Sequence, residues 1–194
     1  MAAVLEGQVR FALGSTLAFR RSDLAQVGGF EAFVDYLADD YELGARIAQA
    51  GRRVEIADTV VDTFLPAYSW REFVQHQLRW ARGIQQSRPW GYLGLCLTYA
   101  VPWSILALIL TCGVGWSWLL LGVALLVRFA SAFTIGATVL RDKQVRMLWW
   151  LIPLRDCVSF ILWALAYAGR TVHWRGDQFV LKKGKLVPAD GHKH

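Results

Sequence analysis

From residue 93 onward the chain is dominated by three long apolar stretches, and few folds can hold them. Residues 93–111 carry no charge, residues 118–140 carry only Arg128, and residues 147–168 carry only Arg155 and Asp156. Each is long enough to cross ~30 Å of hydrocarbon as a helix. A hydrophobic share of 55% over 194 residues also exceeds the ~45–50% usual in soluble domains. The excess is uneven. Residues 1–90 hold 10 Lys/Arg and 11 Asp/Glu, a net −1, whereas residues 91–194 hold 11 and 4, a net +7. Basic residues that punctuate apolar runs point to loops facing anionic lipid. They argue against nucleic acid as a partner, because they do not line a polar helix.

The third stretch is awkward as a span. If all three stretches cross, the basic loop at residues 141–146 and the basic tail lie on opposite sides, against the positive-inside tendency. Arg155 and Asp156 at mid-bilayer would cost ~2.5–3.5 kcal/mol each on insertion scales, and Pro153 breaks a helix interior. The expectation is a re-entrant or interfacial hairpin over residues 147–168 that bends near Pro153. The competing reading is an ordinary span whose Arg155 and Asp156 pair with neighbouring helices. Cys96, Cys112 and Cys157 lie in apolar surroundings without a CxxC, so they read as small buried hydrophobes and not as a zinc site or disulfide set. Glu6 and Arg10 interrupt the start before an apolar core of ~7–15 residues can form, so no signal peptide is expected.

The first 90 residues read as a soluble α/β piece. Residues 13–19 (LGSTLAF) and 53–56 suggest strands. Ser22 is placed to cap a short helix that stops at Gly28-Gly29, and a loop with aromatics follows. Asp39 and Asp40 open a helix that ends at Gly51, its acids suited to the unpaired N–H groups of that end. Ser69-Trp70-Arg71-Glu72 is a capping box for a helix running to about Gln86. Trp70, Phe73, Val74, Gln77, Ala81 and Ile84 share one side of it, which fits a helix lying on a membrane surface as well as an ordinary amphipathic helix.

Two clusters carry chemistry. Ala38-Asp39-Asp40-Tyr41-Glu42 sits at a helix start, and His76-Gln77-Leu78-Arg79-Trp80, followed by Arg82, sits on the amphipathic helix. Each alone has a plain explanation, as a cap and as a membrane anchor. Their order, ahead of a membrane region, resembles the membrane glycosyltransferases that include cellulose and hyaluronan synthases. The likeness is strongest to ceramide glucosyltransferase and its bacterial, hopanoid-associated relatives. Asp39-Asp40 in LADDYELG stands at that family's acidic motif, and His76 to Trp80 at its (Q/R)xxRW motif, with His76 in place of Gln or Arg. The stretch from Gly14-Ser15 to Gly28-Gly29-Phe30 and the tail Trp174-Arg175-Gly176 extend the likeness.

The resemblance implies a fold and a division of labour. Residues 1–68 would be the C-terminal part of a GT-A catalytic domain, 69–90 an interfacial helix, 91–169 a membrane domain and 170–194 a basic cytoplasmic tail. The fold class is thus α/β plus membrane α-helical, with two or three transmembrane segments. The activity implied is inverting transfer of a hexose, glucose first, from a UDP-sugar donor to the hydroxyl of a ceramide-like lipid in the bilayer. Asp40 would be the catalytic base. Asp39, His76, Arg79, Trp80 and Arg82 would contact substrates. The resemblance also implies Mg²⁺ or Mn²⁺ held by a DxD motif in an N-terminal half. No DxD occurs in these residues, so the metal ligands are expected elsewhere, and the chain reads either as a truncated product or as one part of a split enzyme whose partner chain carries that half. The setting implied is a multi-pass protein of a bacterial inner membrane. Alternatives are an inactive membrane remnant or scaffold subunit, or transfer to diacylglycerol, a hopanoid or a polyprenyl phosphate.

Overall fold

A computed structural model describes residues 9–14, 16–57, 59, 61, 63, 66–174, 177–182 and 184–189. Ser15, Arg175 and Gly176, three positions of the family likeness, and Glu6 fall outside the described residues. The chain divides into two compact units, one of Met1–Pro89 with Gly169–His194 and one of Trp90–Ala168.

In the first unit, α1 is Arg21–Gln26 and α2 is Asp39–Gln49, with a 3₁₀ turn at Phe30–Ala32 between them. Arg20, not Ser22, is the N-cap of α1, and it makes no side-chain cap; Ser22 lies inside the first turn. Both helices end by the same device, a glycine in left-handed conformation whose N–H and that of the next residue close back on the last turn. For α1 these bonds are Gly28 N to Ala25 O and Gly29 N to Leu24 O; for α2 they are Gly51 N to Ala48 O and Arg52 N to Ile47 O. α3 is Trp70–Ser87, and its capping box forms as the sequence predicts, with Ser69 N donating to Glu72 Oε2 at 2.8 Å and Glu72 N donating to Ser69 Oγ at 3.4 Å.

The strands expected at residues 13–19 and 53–56 do not form among the described residues. A strand exists by virtue of its partner, and no neighbouring edge runs beside either segment in the described sheet. The sheet that does form lies in the tail. Thr171–Trp174 (β1), Asp177–Lys182 (β2) and Lys185–Pro188 (β3) make an antiparallel sheet in the order β1-β2-β3. Val172 and Leu181 are buried in it. The outer edge of β3 is covered by the loop before α2. Leu186 N donates to Asp35 O at 2.7 Å, Leu37 N donates to Gly184 O at 3.1 Å, and Tyr36 forms a bridge to Lys185.

α2 is packed against an extended segment through a glycine. A Cβ added at Gly44 would fall 2.0 Å from Ala12 N and 2.7 Å from Phe11 C, and Phe11 stacks on Tyr41 with ring centroids 5.2 Å apart. The atoms in the way are backbone and cannot rotate aside. Gly44→Ala is therefore expected to push residues 11–14 off the helix. Overpacking of this kind destabilises by about 1–3 kcal/mol, readable as a fall in the thermal midpoint. An unchanged midpoint would show that the segment is not seated there.

The second unit is helical. α4 is Pro89–Gly94, which continues as a 3₁₀ turn to Thr98, and α5 is Ala100–Leu110; the two lie at 58° to each other. α6 is Gly115–Ala132 and runs on as a π-helical turn to Val139, giving a 25-residue apolar rod. α7 is Lys143–Met147, and α8 is Ile152–Tyr167, preceded by a 3₁₀ turn from Trp149. Gly115–Val139 and Trp149–Tyr167 are each long and apolar enough to cross a membrane, with the bent pair as a third candidate. Their outer faces, including Leu119, Leu126 and Ile161, are exposed, as lipid-facing residues would be.

The hairpin expected at Pro153 is corrected. Residues 152–167 form one continuous helix with Pro153 in its first turn, where its missing N–H has no intrahelical partner to lose. The bend occurs instead in the first stretch, between Thr98 and Ala100. Asp156 takes the paired alternative: Arg128 Nε and Nη2 donate to its two carboxylate oxygens at 2.5 and 2.9 Å. Around Tyr92, a buried residue, Tyr92 Oη donates to Trp163 O at 3.1 Å and Trp163 Nε1 returns the bond to Tyr92 O at 2.9 Å.

Candidate active site

The acidic pair is fixed by backbone donors. Asp39 Oδ1 accepts from Asp40 N at 2.9 Å, and Asp40 Oδ1 accepts from Tyr41 N at 2.8 Å. These satisfy N–H groups that a helix start leaves without partners. The other Asp40 oxygen, Oδ2, accepts from Gly14 N at 2.8 Å, a contact between residues 26 apart. Gly14 holds φ +85°, a conformation open to glycine. The Gly44 contact with Ala12 lays this segment along the helix, and Gly14 then delivers its N–H to the acid. Gly14 and Gly44 were not singled out for this site by sequence reasoning. A small residue four positions after Asp40, on the same helix face, was the signal available.

Asp39 and Asp40 border a cleft of 430 Å³. Leu17, Phe19, Phe30 and Phe33 give it apolar walls, and Phe30 is largely exposed. A carboxylate beside such walls can meet a hydroxyl carried on an apolar molecule.

The second cluster is an aromatic row on α3. The His76 ring stacks on Tyr68 at 5.1 Å and lies 5.6 Å from the Trp80 ring. Arg79 Nη2 donates to His76 Nδ1 at 3.2 Å. Because arginine only donates, His76 is the acceptor, with its proton on Nε2. The i, i+3, i+4 spacing thus places His76, Arg79 and Trp80 on one face, as the sequence implies. Trp80 is 57% exposed, so this face is open. Arg82 turns elsewhere, its Nη1 donating to Thr171 O at the start of β1.

The described lining of the Asp40 cleft contains none of His76, Arg79, Trp80 or Arg82. Leu37, two residues before Asp39, faces α3 beside the second cluster. A Cβ on the buried Gly83 of α3 would lie 3.6 Å from Leu37 Cδ2.

The family model of Glycosyl transferase family 21 matches residues 1–187. The chain belongs to that family. No solved structure matches it. A family 21 glycosyltransferase takes a sugar donor and an acceptor. Among the described residues no group of three or more His, Cys, Asp and Glu could hold a metal ion.

His76 gives this glycosyltransferase an acid-sensitive element. Burial, and then the neighbouring Arg79 charge, push its pKa below the usual 6.5. The unfolded chain therefore takes up the proton first. Stability conferred by neutral His76 is present above ~6.5 and is lost as pH falls through the lowered folded value. Protonation also turns Nδ1 into a donor facing Arg79, which breaks their bond. Transfer is expected to fall on the acid side, and His76→Gln, which has no titrating ring, to remove that limb of the pH–rate profile. An identical acid limb in His76→Gln would assign it to another group.

Proposed function

We propose that this chain carries the acceptor-activating part of an inverting transferase that moves a hexose, glucose by resemblance, from a UDP-sugar to the hydroxyl of a ceramide-like membrane lipid. One observation carries the reading: the Asp40 carboxylate is anchored by Gly14 N–H at 2.8 Å on the border of an aromatic-walled cleft. Each oxygen has a lone pair left for a substrate. A lipid alcohol is a weak nucleophile at neutral pH, and a positioned carboxylate takes its proton as the oxygen attacks. The new C–O bond forms on one face of the anomeric carbon while the bond to UDP breaks on the other. UDP leaves with that electron pair, so one displacement inverts the centre. Arg79 is the guanidinium assigned to the departing diphosphate, whose geometry it matches. Arg82 is held on Thr171, and Trp80 supplies an exposed stacking wall for the acceptor.

In this reading residues 1–68 belong to a GT-A domain, and any Mg²⁺ or Mn²⁺ accompanies the donor diphosphate on residues other than those described. The setting is a bacterial inner membrane with the first unit on the cytoplasmic side. Residues 171–188 group in the same unit as residues 9–89, which supports a topology with both on one side and an even number of crossings between them. The test is the full-length protein in membranes, given labelled UDP-sugars and a panel of ceramide, diacylglycerol, hopanoid and polyprenyl phosphate. Transfer to ceramide is the expected result. Transfer to another lipid changes the acceptor, and donor or lipid binding without turnover identifies a scaffold subunit.

A further inference from the structure

We infer that the C-terminal sheet is a brace that sets the position of Asp40 relative to the His76–Trp80 helix. The inference rests on the transferase reading above only for its consequence in rate. The sheet is tied to both motif-bearing helices, at opposite strands. At β1, the Thr171 carbonyl accepts from Arg82 Nη1, three residues after Arg79 on α3. At β3, Leu186 N donates to Asp35 O and Gly184 O accepts from Leu37 N, so the loop that launches α2 serves as an added strand. An edge strand offers this row of donors and acceptors to whatever lies beside it.

The loop is gripped by side chains as well. The Tyr36 ring has Lys185 Nζ 5.1 Å from its centroid and Arg46 Cζ 5.6 Å away. Arg46 is itself held by Glu42 at 3.5 Å and covers Phe33, a wall of the Asp40 cleft, at 4.9 Å. Only Ala38 separates Leu37 from Asp39. A shift of β3 therefore moves the start of α2, and a shift of β1 moves α3. Leu37 also faces Gly83 of α3, where an added Cβ would meet its side chain at 3.6 Å, but the sheet supplies directional hydrogen bonds at each end. Thr171, Gly184, Lys185 and Leu186 thus act as positioning residues, although none of them needs to meet a substrate.

The test reads geometry and rate separately in the full-length protein. Spin labels go on Gln49→Cys of α2 and Ile84→Cys of α3, both exposed, with Cys96, Cys112 and Cys157 changed to alanine. The parent should give one narrow distance. Leu186→Pro, which removes the N–H given to Asp35, and Tyr36→Ala, which leaves the sheet intact, should each broaden it. In transfer assays both should lower kcat about 10- to 100-fold, the scale of an ångström-level misplacement, with the donor KM unchanged. Arg82→Leu combined with Tyr36→Ala should be no slower than the worse single variant, because cutting either end releases the brace. An unbroadened distance in both Leu186→Pro and Tyr36→Ala, or losses that simply multiply, would overturn the inference. Broadened distances in a protein whose parent transfers no sugar would keep the brace and remove the transferase reading.

Discussion

Asp40→Asn in the full-length protein should lower lipid glycosylation by about 10²–10⁴-fold, the usual worth of a positioned general base, while leaving donor binding intact. The substitution is informative because it is nearly isosteric. Asn keeps one oxygen to accept from Gly14 N or Tyr41 N and turns its amide toward the other. One backbone hydrogen bond is lost, on the order of 0.5–1.5 kcal/mol of stability. A shift in melting of that size cannot account for a rate loss of two orders or more. Asp39→Asn is the matched control. Asp39 Oδ1 accepts from Asp40 N, and an asparagine oxygen can keep that bond, so transfer should fall by no more than about tenfold. Turnover retained by Asp40→Asn and lost by Asp39→Asn would exchange their roles.

What the sequence made legible was local. The capping box at Ser69 and Glu72, the acids at the start of α2 and its stop at Gly51 are decided within one or two turns, and each stands where the pattern puts it. The apolar stretches were equally plain, since length and scarcity of charge survive any tertiary arrangement. The failures share a cause in distance along the chain. Residues 13–19 have strand composition, but whether they pair depends on an edge supplied elsewhere. Residues 185–188 fall in a stretch that reads only as basic tail, yet they pair on both sides, with β2 and with residues 35–37. Pro153 was placed mid-stretch by counting apolar residues, whereas the helix starts one residue before it.

The site divides in the same way. That His76, Arg79 and Trp80 share a face follows from 3.6-residue periodicity. That Arg82 bends to Thr171, 89 residues away, and that Gly14 reaches Asp40 across 26 residues, could not be read from spacing. The family match adds that a donor and an acceptor are involved.

The second large effect is expected in the membrane unit, where Asp156→Leu should destabilise by about 3–5 kcal/mol by stranding Arg128. The pair is bidentate and largely enclosed, with side-chain exposures of 33% for Arg128 and 12% for Asp156, on two helices whose one other charged residue is Arg155. Arginine cannot shed its charge, and an unpaired one at the helix centre carries an insertion penalty of ~2.5–3.5 kcal/mol by itself. The pair is nonetheless not the source of net stability, because desolvating two charges offsets most of what their attraction returns. The double replacement Arg128→Met with Asp156→Leu should therefore lie close to the parent in thermal unfolding, although each single change is damaging. What the apolar double would lose is the fixed register between α6 and α8, which a bidentate geometry sets and packing of leucines does not. A double as unstable as the sum of the two singles would mean that Arg128 and Asp156 act independently, each through a neighbour other than its partner.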